Sequence, residues 1–271
     1  MRYLIAILSL LSISVQLGKS MTTDNRWLIY KLMKPNANLD IPLNVAPAAN
    51  SAPADTVDCS KVDEIIEDLG GAQGITVLND KYKLAGGVEE YTKRCKDAAE
   101  ALKTLRKYNK ECYSSLTQQV FSAILRTRSQ FNEQKCAVGT PDFAEANEAI
   151  RCMAENAMDK AIAAEKKAVA GSEVLLEANI SDEKLRLRHS CCQVIATRKS
   201  FLDATKEKCS KYEKVYSDYA DSYTSEAMSL ICPETDKLEC DKLDALKIDG
   251  VEPKNKFFMT PMLKVVKTLD H

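Results

Sequence analysis

Apolar side chains recur at helical spacing through two long stretches of the chain. Residues 88–138 contain no glycine or proline, and alanine, leucine, valine and isoleucine return every three or four positions. Residues 182–232 repeat this pattern over the same length of 51 residues. A period of about 3.6 residues is typical of amphipathic helices. Because 51 residues is long for one globular helix, we expect each stretch to form a helical pair, with turns near 108–110 and 207–210.

Shorter helical segments precede and separate these two stretches. Residues 60–69 place apolar side chains on one face and end at a glycine pair. Thr140-Pro141-Asp142 has the composition of a helix start, with an N-cap, a proline in the first turn and an acidic side chain near the positive helix end. That helix should run to about residue 170, where Gly171 would interrupt it. Together these patterns predict an all-α bundle of about six to seven helices.

Ten cysteines make five disulfides possible, and the bundle should be stapled by them; they are Cys59, Cys95, Cys112, Cys136, Cys152, Cys191, Cys192, Cys209, Cys232 and Cys240. A continuous helix would separate Cys95 from Cys112 by about 25 Å. A disulfide requires Cα atoms about 4.4–6.8 Å apart. Two cysteines on one such helix must therefore find partners elsewhere, and the adjacent Cys191 and Cys192 should reach two different partners. The spacing leaves the pairing itself open.

The gaps between cysteines repeat along the chain. Cys95, Cys112 and Cys136 follow the spacing C-x16-C-x23-C, and the last half of the chain contains C-x16-C-x22-C from Cys192 to Cys232. This repetition favours two duplicated helical units. The alternative is a chance match, because unrelated helices share periodic patterns freely.

The first twenty residues have the features of a secretory signal peptide. Arg2 supplies a positive charge, residues 3–15 are largely apolar, and Gly18 and Ser20 suit cleavage before Met21. The apolar run is short for a bilayer span, which disfavours a membrane anchor. We therefore predict a secreted, extracellular protein without a transmembrane segment, in a compartment where cysteines can oxidise.

The composition suggests four regions along the chain. Four of the eight prolines fall between residues 35 and 53 among alanine and asparagine, which is typical of an extended linker. The predicted regions are a signal peptide at 1–20, a Pro/Ala-rich linker or pro-segment at 21–58, a cysteine-rich helical domain at 59–240 and a C-terminal tail at 241–271. The apolar tail could cover a hydrophobic groove or be disordered. Asn179-Ile180-Ser181 is an N-glycosylation sequon between two predicted helices, so we expect Asn179 to carry a glycan and Ser181 to cap the following helix.

Charge and histidine content argue against several functions. The net charge is −1, so no overall electrostatic attraction to nucleic acid or an anionic membrane is expected. His189 and His271 are the two histidines. Histidine-based triads, dyads and zinc sites need a positioned imidazole, and oxidised cysteines beside His189 would not bind a metal. We predict no enzymatic activity, no metal and no cofactor.

Four tyrosines lie on one face of a predicted helix: Tyr212, Tyr216, Tyr219 and Tyr223. A tyrosine has an apolar body and a polar tip, which suits the wall of a partly polar cavity. A stripe that packs one helix against another is the favoured interpretation. The ligand-facing interpretation of these four residues is the speculative alternative.

The segment ECYSSLTQQVFSAILRTRSQFNEQKC, which ends at Cys136, resembles the insect 27 kDa haemolymph glycoprotein family. In that family too, a cysteine is followed by an amphipathic helix that ends in another cysteine, and GGVEEYTKRC is similar to the family as well. The resemblance covers residues 59–240. It implies an extracellular arthropod glycoprotein without known catalysis, whose defining domain has no established function.

Two hypotheses about function follow. The first is an extracellular binding or carrier protein in haemolymph or another secretion, with an apolar cavity for a small hydrophobic ligand. The second is a structural or interaction protein that binds an extracellular protein partner through its surface. A cavity of several hundred Å³ beside the tyrosines would favour the first hypothesis, and a solid core would favour the second.

Overall fold

A computed structural model describes residues 57–73, 87–178, 180–232, 238–244, 246–248 and 250–269, all within one compact unit. The predicted signal peptide and nearly all of the predicted linker lie outside the described residues, and so does Asn179.

The described chain is all-α, as predicted, and it contains no β-strand. Seven helices have 12 or more residues, matching the predicted number, and a nine-residue helix follows near the C-terminus. They are α1 Val62–Gln73, α2 Val88–Cys112, α3 Ser115–Lys135, α4 Pro141–Asn156, α5 Met158–Glu177, α6 Glu183–Cys209, α7 Glu213–Ile231 and α8 Met259–Lys267. Short 3₁₀ turns occupy Cys59–Lys61, Ser210–Tyr212 and Cys240–Lys242.

One of the two predicted turns is misplaced. The first was expected at 108–110, but α2 continues to Cys112. Asn109 is buried, and its side-chain amide donates to the carbonyl of Gln118 at 3.2 Å and to Ser122 Oγ at 2.7 Å, both on α3. Gln118 Nε2 donates in return to three carbonyls near the end of α2, which satisfies groups that a helix end leaves unpaired. The second predicted turn is confirmed, since α6 ends in a 3₁₀ turn that leads into α7.

Three other local predictions can be compared with the structure. Thr140 does cap α4, where its Oγ1 accepts from the N–H of Phe143 at 3.2 Å. Asp182, one residue after the predicted Ser181, caps α6. Gly171 does not interrupt α5: the glycine lies where α5 meets Gln193 of α6, and a Cβ there would overlap that side chain.

Five disulfides staple the helices, as predicted: Cys59–Cys112, Cys95–Cys136, Cys152–Cys209, Cys191–Cys232 and Cys192–Cys240. Their Cα–Cα distances lie between 5.4 and 6.0 Å. The two cysteines of α2 bond to different elements, because the length of the helix separates them. Cys191 and Cys192 reach different partners, which ties α6 both to the end of α7 and to the segment after it.

The disulfide pattern repeats in the two halves of the molecule. In α1–α3 and the turn before them, the first cysteine bonds to the third and the second bonds to the fourth. The same interleaved pattern recurs from α4 to the end of α7, and the second bond spans 41 residues in both halves. Helices α3 and α7, the last of each set, pack against each other. The shared connectivity supports the hypothesis of two duplicated units.

The C-terminal tail, whose role the sequence left open, belongs to the core. Helix α8 packs against α1 and α3 of the first half and α5 of the second. Between residues 257 and 269 the apolar side chains are buried: Phe257, Phe258, Met259, Met262, Leu263, Val265, Val266 and Leu269. The tail therefore contributes apolar surface to both halves.

Three carboxylates hold the backbone just before α8. Glu173 of α5 accepts from the N–H of Asn255 at 2.8 Å, and Glu165 accepts from the N–H of Phe258 at 3.0 Å. Glu67 of α1 accepts a further backbone N–H from the residue after Asn255, at 3.1 Å. Donors at a helix N-terminus have no partner within the helix. Here, acidic side chains of the neighbouring helices accept hydrogen bonds from the backbone N–H groups at and just before the N-terminus of α8.

A close contact between α1 and the tail gives a test of this packing. A Cβ at Gly70 would lie 2.5 Å from Cγ of the Phe257 ring. Gly70→Ala should therefore lower the free energy of unfolding by about 1–3 kcal/mol, as measured by urea denaturation of the oxidised protein. With free space at this position, the same change would raise stability by up to about 1 kcal/mol through helix propensity.

Gly87→Ser is the matched control. Gly87 is the N-cap of α2, a Cβ added there would have no neighbour within 4 Å, and serine is favoured at N-caps. The control should change stability by less than about 0.5 kcal/mol. A stabilised Gly70→Ala variant would contradict the packing of Phe257 on α1.

Candidate functional site

The predicted tyrosine stripe lies on α7, and most of it is in the core. Tyr216, Tyr219 and Tyr223 are buried, and Tyr212 is half-buried. The Tyr216 hydroxyl donates to the carbonyl of Ala149 at 2.7 Å. Burial raises the pKa of Tyr216, Tyr219 and Tyr223 above the ordinary tyrosine value. These hydroxyls therefore stay protonated at neutral pH.

An arginine of α3 is enclosed by the tyrosine rings. The guanidinium carbon of Arg128 lies 4.1 Å from the ring centre of Tyr223 and 4.8 Å from that of Tyr219. It also lies 4.8 Å from the Phe131 ring centre, and Nη1 donates to Ser222 Oγ at 2.5 Å. Only 1% of Arg128 is exposed. Cation–π contacts are strongest when the cation is desolvated, so this cluster joins α3 to α7.

The space beside the stripe is too small for a lipid. Two cavities of about 30 Å³ adjoin the tyrosines, one lined in part by Tyr91 and the other by Phe258. Such a volume holds about one or two water molecules, whereas small-molecule sites occupy about 300–1,000 Å³. Among the described residues, the four tyrosines contribute packing and line no ligand-sized chamber.

A larger concave surface lies on the outside of the second half. It lies between α5, α6 and the segment that follows the Cys192–Cys240 bond, and its volume is about 520 Å³. We call it the disulfide groove; its walls include Ala164, Lys167, Ala168, His189, Gln193, Ala196, Thr197, Ser200, Asp241, Leu243, Asp244, Leu246 and Ile248. The disulfide fixes the outer wall to α6.

The disulfide groove is lined by apolar and polar side chains in similar numbers. Leu243, Leu246 and Ile248 supply the apolar outer wall. Burial, followed by the charge of a neighbouring arginine, lowers the pKa of His189, while Asp244 opposes that shift. The imidazole is therefore mainly neutral at pH 7. One of its ring nitrogens can donate a hydrogen bond, and the other can accept one. Small-molecule sites likewise combine apolar walls with polar groups that orient the ligand.

Sequence reasoning did not find this groove. Its helical walls carry ordinary alanines and polar residues, and its outer wall comes from residues 241–248, which have no regular periodicity. His189, which the sequence did not mark as a binding residue, lines the groove and is 9% exposed. The Cys192–Cys240 bond would have been the one useful signal, but the cysteine spacing alone did not identify Cys240 as the partner of Cys192.

The rest of the described chain offers neither a metal site nor a membrane span. Within it, no group of three or more histidine, cysteine, aspartate or glutamate side chains is arranged to hold a metal. Among the described helices, none has both the length and the apolar character needed to cross a bilayer. No family model, curated protein or solved structure matches the chain.

Two arginines on α3 allow a direct test of the aromatic cluster. Arg128→Ala should lower the free energy of unfolding by about 3 kcal/mol or more, because it removes a large buried side chain and its ring contacts. Arg126, two residues earlier, is exposed and pairs with Glu226 at the surface. Arg126→Ala should cost less than about 1 kcal/mol. If chemical denaturation shows equal, small losses of unfolding free energy for the two variants, a structural role for Arg128 is contradicted.

Proposed function

We propose that this is a secreted, extracellular protein that binds a small, partly apolar ligand in the disulfide groove. The volume of about 520 Å³ carries the proposal, because it falls within the range of small-molecule sites. Five disulfides support an oxidising compartment. The proposed role is binding or carriage without catalysis.

The groove's polar groups define the kind of ligand. Asp241 and Asp244 carry negative charge at one wall, and the neutral His189 and the Gln193 amide can form hydrogen bonds. An apolar body would contact the leucine and isoleucine side chains of the outer wall. Lys167 of α5 adds one positive charge to the lining. We infer a ligand with an apolar body and one hydrogen-bonding end.

Membership of the insect 27 kDa haemolymph glycoprotein family is part of this proposal. Its support is the resemblance around Cys112–Cys136 together with a disulfide-stapled all-α architecture. A glycan on Asn179 belongs to the same proposal: α5 ends at Glu177 and α6 begins at Glu183, so the sequon falls between two helices.

A second candidate function is a structural or protein-interaction role at the surface. The filled core favours it, since the cavities beside the tyrosine stripe hold only about 30 Å³ each. A protein of this kind would need no ligand in the disulfide groove.

A groove-filling variant distinguishes the two candidates. Ala196 is exposed and lines the disulfide groove, so Ala196→Trp should block it without disturbing the core. Ala99→Trp is the matched control, at an exposed position of α2 outside the groove. Native mass spectrometry would follow incubation of the secreted proteins with a lipid extract of the source tissue. The wild type and the control should retain a small-molecule adduct that Ala196→Trp lacks.

Two outcomes would contradict ligand binding in the groove. A wild type without any adduct would favour the surface-acting role. An adduct that persists in Ala196→Trp would place the ligand elsewhere.

A further inference from the structure

The second half of α2 presents a basic face. Lys103, Arg106, Lys107 and Lys110 are all exposed and follow the spacing i, i+3, i+4, i+7. Side chains at that spacing project from one side of a helix. Residues 101–110 contain no aspartate or glutamate. Glu100 and Glu111 lie directly before and after this stretch, so four cations and two carboxylates give residues 100–111 a net positive charge, although the net charge of the whole chain is −1.

An open groove of about 610 Å³ adjoins this basic face, between α2 and α3. We call it the α2–α3 groove; it is lined by Arg106, Asn109, Lys110, Gln118, Ser122, Leu125, Arg126, Ser129, Gln130 and Glu133. Amides and hydroxyls make up half of these side chains. Glu133 is the one carboxylate among them.

The groove's cationic groups lie on two walls. Arg106 of α2 donates from Nη2 to Ser129 Oγ of α3 at 2.5 Å, which holds its guanidinium at the groove. Lys110 lies about one helical turn further along the same wall. Arg126 is on the α3 wall, where it also pairs with Glu226. Because Arg126 is paired with Glu226 and Glu133 lies on the same wall, the positive charge that an occupant would meet comes mainly from Arg106 and Lys110 of α2.

We propose that the α2–α3 groove and the basic face of α2 together bind a sulfated polysaccharide. Guanidinium and ammonium groups form charge-assisted hydrogen bonds with oxyanions such as sulfate. Gln130 of α3 is exposed at the groove, and its amide can donate to and accept from the hydroxyls of a sugar ring. The proposal is independent of the ligand in the disulfide groove, because that groove is formed by other helices.

Two other polyanionic partners fit the site less well. None of the residues lining the α2–α3 groove is aromatic, whereas sites for single-stranded nucleic acid stack bases on aromatic rings. A membrane-binding face needs exposed apolar side chains beside its cations. The exposed large hydrophobic residues of the described chain lie outside this face: Val88, Val138, Leu185, Leu230 and Val251.

The test measures binding of a fluorescent heparin hexasaccharide to the oxidised protein by anisotropy. Arg106→Gln/Lys110→Gln should weaken binding at least about tenfold, since it removes two cations that would form charge-assisted hydrogen bonds with sulfate groups. Its affinity should also fall less steeply with salt, because fewer counterions are released. Lys93→Gln/Lys199→Gln removes the same charge from exposed positions outside the groove and should change affinity by less than about twofold.

Circular dichroism and thermal melting of each variant exclude loss of binding through unfolding. Should Arg106→Gln/Lys110→Gln melt early, Lys103→Gln/Lys110→Gln keeps the Arg106–Ser129 hydrogen bond and tests the same face. An affinity loss in that variant would support the proposal.

Four results would overturn the proposal. They are no saturable binding by the wild type, equal losses in the groove and control variants, equal binding of fully desulfated heparin, and equally tight binding of single-stranded DNA. The last result would assign the face to nucleic acid.

Discussion

Two interleaved pairs of disulfides constrain the rest of this structure. In each half, one long helix is held near both of its ends: α2 by Cys95 and Cys112, and α6 by Cys191 and Cys209. These four bonds close loops with separations of 41 to 57 residues. In the chain-entropy description, each such bond disfavours the unfolded chain by about 4 kcal/mol. The clamped helices then provide fixed surfaces for the remaining elements.

The packing between the halves follows from those fixed surfaces. Helices α3 and α7 meet around Arg128 and the tyrosine rings, and α8 fills the space between α1, α3 and α5. Because the core is filled in this way, the larger concave surfaces of the described chain lie on the outside of the molecule. The two open surfaces, the disulfide groove and the α2–α3 groove, lie on different helices and have different chemistry.

Local signals in the sequence predicted the helices, the Thr140 cap and the rule that cysteines on one helix bond elsewhere. Features that depend on distant contacts were missed or misplaced. Asn109 looks like a turn residue, yet its amide bonds to α3, and Gly171 is a close contact with Gln193. The role of the tail stayed open because its partners, including Glu173, lie about 80 residues away in the sequence. The disulfide groove was hidden for the same reason, since its outer wall depends on the partner of Cys192.

Disulfide mapping of the non-reduced protein tests the central claim most directly. Peptide mass spectrometry with fragmentation between Cys191 and Cys192 would identify each partner. The structure predicts five bonds: Cys59–Cys112, Cys95–Cys136, Cys152–Cys209, Cys191–Cys232 and Cys192–Cys240. A bond between Cys95 and Cys112, or any bond between the first four cysteines and the last six, would contradict two interleaved units.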